Sequence, residues 1–227
     1  MPRLPFVFAI LLQLGALPVA AAPPSQPAAT HPNVETAFRF GIPRDYASAR
    51  GLTSVREPQQ LAGIGGRDAL GYAQRLIPAA ARAWARMRAA AARDGVELRA
   101  VSTFRSVEVQ AAIVRAKLAR GQPIDAILRV NAAPGYSEHH SGRAIDIATS
   151  GYAPVEEEFE RSRAFAWLTR NAGAYGFGMS YPRDNPHALA YEPWHWCWHG
   201  DDVENASPRT QLAVNDDPQT NLPADTR

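Results

Sequence analysis

Three short stretches of the chain carry residue types that can do chemistry together. Ser137-Glu138-His139-His140-Ser141-Gly142-Arg143-Ala144-Ile145-Asp146 offers an imidazole and a carboxylate seven positions apart, with a glycine between them where the chain can turn. Glu192-Pro193-Trp194-His195-Trp196 offers a second carboxylate and another imidazole. Two imidazoles and one carboxylate satisfy a tetrahedral Zn²⁺ and leave its fourth position open, as a catalytic site requires. The remaining carboxylate can then serve as general base on a metal-bound water. The third stretch, Ser102-Thr103-Phe104-Arg105-Ser106, has Gln110 five residues beyond its arginine. An arginine at a strand-to-helix corner is well placed to bind a carbonyl oxygen or a carboxylate.

Spacing alone leaves a plainer alternative open, in which His139 and His140 sit in a solvated loop and His195 lies in an aromatic core strand. In an extended segment neighbouring side chains point to opposite faces, so His139 and His140 are not expected to share one ion. His187 and His199 read as surface or supporting residues. Cys197 reads as a small buried filler, because a fourth protein ligand would displace the catalytic water. Glu138 can either orient an imidazole or sit in solvent. Trp194, Trp196 and Trp198 recur at period two, as on one face of a half-buried strand, and one of these rings can line a cleft. Pro193 disfavours the helical region for Glu192. In a flat strand, positions three apart face opposite sides. A bend or bulge must therefore bring Glu192 and His195 to one site.

The elements that must position these residues are legible in part. A helix is expected over Pro78–Arg93, with proline in its first turn, an apolar face of Ala81, Trp84, Met87 and Ala91, and a stop at Asp94-Gly95. Val96, Leu98 and Val101 are spaced as in a half-buried strand. Ser106 can cap a second helix carrying Ile113, Val114, Lys117 and Leu118 and ending at Gly121. Residues 144–147 are short, β-branched and strand-like. A third helix is expected over residues 156–171, and residues 176–179 and 194–198 read as later strands. Helices precede short strands without βαβ alternation, which favours an α+β fold.

The 227 residues suit one domain, with about 100–200 residues as the usual size. Apolar residues make up 46% of the chain, enough to bury a core. Lys and Arg number 24 against 22 Asp and Glu, a balance that excludes an electrostatic nucleic-acid binder. Lys117 is the only lysine, and the single cysteine, Cys197, excludes a disulfide framework or a multi-cysteine metal site. Residues 1–21 read as a secretory signal peptide: Arg3, an apolar run over residues 6–17 that is short for a membrane span, and the small residues Val19-Ala20-Ala21. The protein is therefore expected to be exported, as a periplasmic or secreted bacterial protein with no stable membrane span after cleavage. A proline-rich linker over residues 22–36, a globular body over 37–200 and a mobile tail over 201–227 complete the expected organisation.

Taken together, the three motifs resemble one family. Ser-x-His-x-x-Gly-x-Ala-x-Asp at residues 137–146, Glu-Pro-Trp-His-Trp at 192–196 and the upstream Ser-x-x-Arg-Ser with its glutamine occur in the family's order. The chain thereby resembles the zinc D-alanyl-D-alanine carboxypeptidases of the vancomycin-resistance type, which share a fold with the Hedgehog amino-terminal domain. The resemblance implies helices packed on a small, mainly antiparallel sheet that carries one zinc ion per chain. It implies His139, Asp146 and His195 as zinc ligands, Glu192 as catalytic base and Arg105 as the group binding the substrate carbonyl and its oxyanion. It also implies Ser137 beside the substrate's terminal carboxylate and a supporting, substrate-side role for Gln110. The implied partner is a peptidoglycan stem peptide, and the implied state is a monomer. L,D-carboxypeptidase, D,D-dipeptidase and stem endopeptidase activities, or a catalytically silent wall-binding module, are the rival readings. Two positions depart from the family pattern: Cys197 stands where an arginine is common, and Thr103 where a glycine is common.

Overall fold

The computed structural model describes Ala37 and residues 39–200. The expected signal peptide, linker and tail lie outside these described residues. After a short helix α1 (Tyr46–Ala49), strands β1 (Ala62–Arg67) and β2 (Ala73–Leu76) form an antiparallel hairpin. Helix α2 (Pro78–Arg93), strand β3 (Arg99–Ser102), and helices α3 (Val107–Ala119) and α4 (Ile124–Val130) follow. A 3₁₀ turn (Glu138–Ser141) leads into β4 (Ala144–Ala148). Helix α5 (Arg163–Asn171) and strands β5 (Phe177–Met179) and β6 (His195–Trp198) complete the described residues. The four later strands form one antiparallel sheet in the order β3-β4-β6-β5. The described residues thus make a single α+β domain, as the order of elements predicts.

Helix α2 spans the expected residues because each local signal agrees. Proline opens it, and Gly95 follows it at φ 68°. It buries Trp84, Met87 and Ala91 against Ile145, Ile147, Phe159, Leu168 and Phe177, the main core. Ala81 of the expected face is only partly buried; Ala80 and Ala83 take the inner positions. Val96 and Leu98 enter the core ahead of β3, which starts at Arg99.

Helix α3 begins where Ser106 predicts: its Oγ accepts the Val109 N–H at 3.2 Å. Ser106→Ala should cost about 1 kcal/mol, the usual worth of an N-cap hydroxyl, read as a lowered midpoint in urea. The buried face of α3 is Val107, Gln110, Ala111 and Val114 rather than Ile113 and Leu118.

The third helix is a correction. Residues 157–161 form a 3₁₀ turn, Ser162 is extended at φ −80°, ψ 154°, and only Arg163–Asn171 is α-helical. Ser162 Oγ accepts the Phe165 N–H at 3.0 Å, so its side chain starts a new helix instead of continuing an old one. Sequence periodicity also missed the β1–β2 hairpin, whose Gly63, Gly65 and Gly66 carry no apolar alternation, and the short helix α4.

Candidate metal centre

β4 is buried along its whole length, so an aspartate inside it needs a partner. That partner is set by register: Asp146 lies directly across from His195 on β6 and from Ser102 on β3. Cross-strand neighbours share a face. His195 Nδ1 lies 3.0 Å from Asp146 Oδ1.

His139 comes from the 3₁₀ turn just before β4, which Gly142 ends at φ 66°. A Cβ at Gly142 would meet Leu61 Cδ2 at 2.9 Å, so both space and backbone demand glycine. His139 Nδ1 donates to the Thr103 carbonyl at 2.7 Å, leaving Nε2 to face Asp146 Oδ2 at 3.3 Å. One donor atom from each of His139, Asp146 and His195 lies within 4.8 Å of the others. Ligands about 2.0–2.2 Å from a tetrahedral zinc lie roughly 3.3 Å apart, so the 3.0 and 3.3 Å separations fit that ion. Burial raises the Asp146 carboxyl, but the two imidazoles outweigh it and hold the group well below the usual carboxylate range.

Glu192 reaches the same place by the bend that Pro193 demands. The His195 N–H donates to the Glu192 carbonyl at 3.1 Å, closing a four-residue turn. Glu192 Oε2 then lies 3.8 Å from His195 Nδ1. Burial raises the Glu192 carboxyl to about 7; His195 opposes the rise and Asp146 adds to it. A carboxylate that holds a proton near neutrality is suited to accept and return one.

Arg105 lies at the corner between β3 and α3. Its Nη1 donates to Gln110 Oε1 at 2.8 Å and its Nη2 to Ser102 Oγ at 2.9 Å. Gln110 is fully buried and donates through Nε2 to the Ala132 carbonyl at 2.7 Å. Both ends of its amide are engaged, so Gln110 stands behind the guanidinium and aims it.

His140 corrects an expectation in its details. The pair His139-His140 lies in a 3₁₀ turn rather than an extended segment. At about three residues per turn, neighbouring side chains diverge by about 120°. His140 accepts the Gly135 N–H at Nε2 (3.1 Å) and donates from Nδ1 to the Arg105 carbonyl (2.6 Å), so both nitrogens are committed. His187 binds the Arg50 carbonyl, and Cys197 is buried on β6 outside the donor set.

One cleft of about 500 Å³ is lined by His139, Asp146, His195, Glu192, Arg105, Ser137 and Gln110, the residues expected to bind metal or substrate or to act as base. Trp194 is the tryptophan that faces it; Trp196 and Trp198 lie in the core. Tyr181, from the stretch preceding Glu192, packs against His195 with ring centroids 4.7 Å apart and planes tilted by 39°. Other lining residues carried no motif signal. Lys117, the only lysine, adds a second cation to the cleft that holds Arg105. Leu70, Val130 and Val155, three of the four exposed large apolar side chains among the described residues, also line it. Val155 has φ 56°, a strained conformation for a β-branched residue of the kind that clusters at ligand sites.

An α+β domain that sets a His-Asp-His cluster able to hold a metal ion beside a glutamate and an arginine has the arrangement of a hydrolase. Residues 73–201 match the family described as VanY, D-alanyl-D-alanine carboxypeptidase, and the chain belongs to that family. Among curated relatives it is 37% identical over 109 residues to the putative carboxypeptidase YodJ of Bacillus subtilis, covering 47% of this chain and 40% of that protein. It is 40% identical over 63 residues to a D-alanyl-D-alanine carboxypeptidase of Enterococcus faecium, covering 27% of this chain and 19% of that one. The chain therefore spans less than half the length of these relatives. Among solved structures, the LdcB LD-carboxypeptidase superposes with a TM-score of 0.58 at 30% identity, covering 64% of this chain and 71% of that one.

Proposed function

We propose that the protein is an exported, zinc-dependent carboxypeptidase that removes the terminal D-alanine from peptidoglycan stem peptides. The observation that carries this reading is the placing of Glu192 and Arg105 in the same cleft as the three donor atoms. A silent binding module needs neither group.

His139, Asp146 and His195 would hold the zinc, which when bound lowers the pKa of its water toward about 7 and polarises the substrate carbonyl. Glu192 takes the proton as water attacks the carbonyl of the penultimate D-alanine, then passes it to the leaving amine of the terminal D-alanine. Arg105, held in place by Gln110 and Ser102, stabilises the developing oxyanion. Ser137 and the cation of Lys117 suit the substrate's terminal carboxylate, while Leu70, Val130 and Val155 give the mouth an apolar rim for the rest of the stem.

An L,D-carboxypeptidase is the second reading, favoured by the likeness to the LdcB LD-carboxypeptidase. Incubating the mature protein with pentapeptide and tetrapeptide stems and weighing the products separates the two. Free D-alanine from the pentapeptide is expected, abolished by a chelator and restored by Zn²⁺. Cleavage of the tetrapeptide alone would assign L,D activity, and release of a dipeptide would assign dipeptidase activity. Full hydrolysis by metal-free protein would refute the mechanism.

A further inference from the structure

We propose that Glu138 is a positioning residue of the metal centre, a carboxylate that grips the outer nitrogen of His195 and so aims its inner nitrogen at the metal. Glu138 Oε2 lies 2.8 Å from His195 Nε2. On the other side of the same ring, Nδ1 lies 3.0 Å from Asp146 Oδ1. With an ion bound, donation of the Nε2 proton to Glu138 would leave the Nδ1 lone pair for the metal, on the side of Asp146 and His139. The opposite choice, metal on Nε2, would require an ion on the Glu138 side of the ring, away from the other two donors.

The turn geometry explains why one short segment serves both histidines. In the 3₁₀ turn Glu138–Ser141 successive side chains fan out at about 120°. His139 faces the donor cluster, His140 binds the Arg105 carbonyl, and Glu138 reaches His195, which is 57 residues further along the chain. The two histidines are then held by the same device with different materials. His139 gives its second N–H to the Thr103 carbonyl, and His195 gives its own to a carboxylate. A ligand histidine whose second nitrogen is bound in this way keeps its tautomer and orientation and gains basicity. Tyr181 packs against the His195 ring with centroids 4.7 Å apart and planes tilted by 39°, so the imidazole is held by a ring contact as well as at its nitrogens.

This inference rests on the zinc reading above, and its test separates the two. Zinc affinity of the mature wild-type protein, Glu138→Ala and Glu138→Gln is measured by competition with a chromophoric chelator. The visible spectrum of each Co²⁺ form and the thermal midpoint of each metal-free form are recorded alongside. Glu138→Ala should bind zinc about 10–100-fold more weakly than wild type. Its Co²⁺ spectrum should shift while its metal-free midpoint stays close to that of wild type. Glu138→Gln keeps an acceptor but loses the charge, and should fall between the two. Wild-type affinity and an unshifted spectrum in Glu138→Ala overturn the proposal and leave the zinc reading standing. A wild-type protein that binds no zinc overturns both. Should Glu138→Ala fail to fold without metal, Glu138→Gln decides: an intermediate affinity supports the proposal, and wild-type behaviour overturns it.

Discussion

Glu192→Ala should keep zinc at about one ion per chain and lose turnover by about 10²–10⁴, the usual contribution of a positioned general base. The proposed base stands apart from the three proposed ligands. Glu192 Oε2 stands 3.8 Å from His195 Nδ1, whereas the contacts among His139, Asp146 and His195 measure 3.0 and 3.3 Å. Glu192 also reaches the cleft through its own turn, so removing its side chain leaves the β4–β6 pairing of Asp146 with His195 intact. The loss should fall on kcat and leave KM nearly unchanged, because a proton transfer operates in the transition state and not in substrate binding. Metal analysis and steady-state kinetics on the purified, folded variant decide the matter. A variant that loses its zinc would make Glu192 a ligand, and one with wild-type activity and full zinc would place the chemistry elsewhere.

His195→Ala should lose metal and activity together. Two protein ligands make a poor zinc site, and the substitution leaves the buried Asp146 with only His139 at 3.3 Å. Removing one partner of a buried ionic pair costs about 3–5 kcal/mol, and the surviving histidine places this case toward the lower end. Chemical denaturation of the metal-free protein reads that loss, and metal analysis reads the first. Turnover with bound zinc in His195→Ala would show the assigned roles to be wrong.

These expectations differ in how far the sequence alone could carry them. Helix α2, the Ser106 cap, the strand at residues 144–147 and the three motifs were legible because their signals are local. Proline at a first turn, glycine after a last one, a hydroxyl three residues before an unpaired N–H and a β-branched run each act over a few residues. The bend at Glu192 was legible for the same reason, since Pro193 restricts the residue before it. The break at Ser162 was as local, but a run of helix-compatible residues on both sides masked the cap.

Tertiary structure decided what depends on residues far apart in the chain. Asp146 and His195 meet across 49 positions, and only the register of β4 against β6 places them on one face. Glu138 could be read with equal justice as a solvated acid or as an imidazole's partner until the 3₁₀ turn aimed it at His195. Gln110 found its place behind Arg105 because folding buried both ends of its amide, and Lys117, Leu70, Val130 and Val155 joined the cleft without any pattern to announce them. Residue types and their spacing determined which chemistry this chain could perform. The pairing of strands and the burial of charge determined which atoms face one another to perform it, because those are free energies of contact that no short stretch of sequence contains.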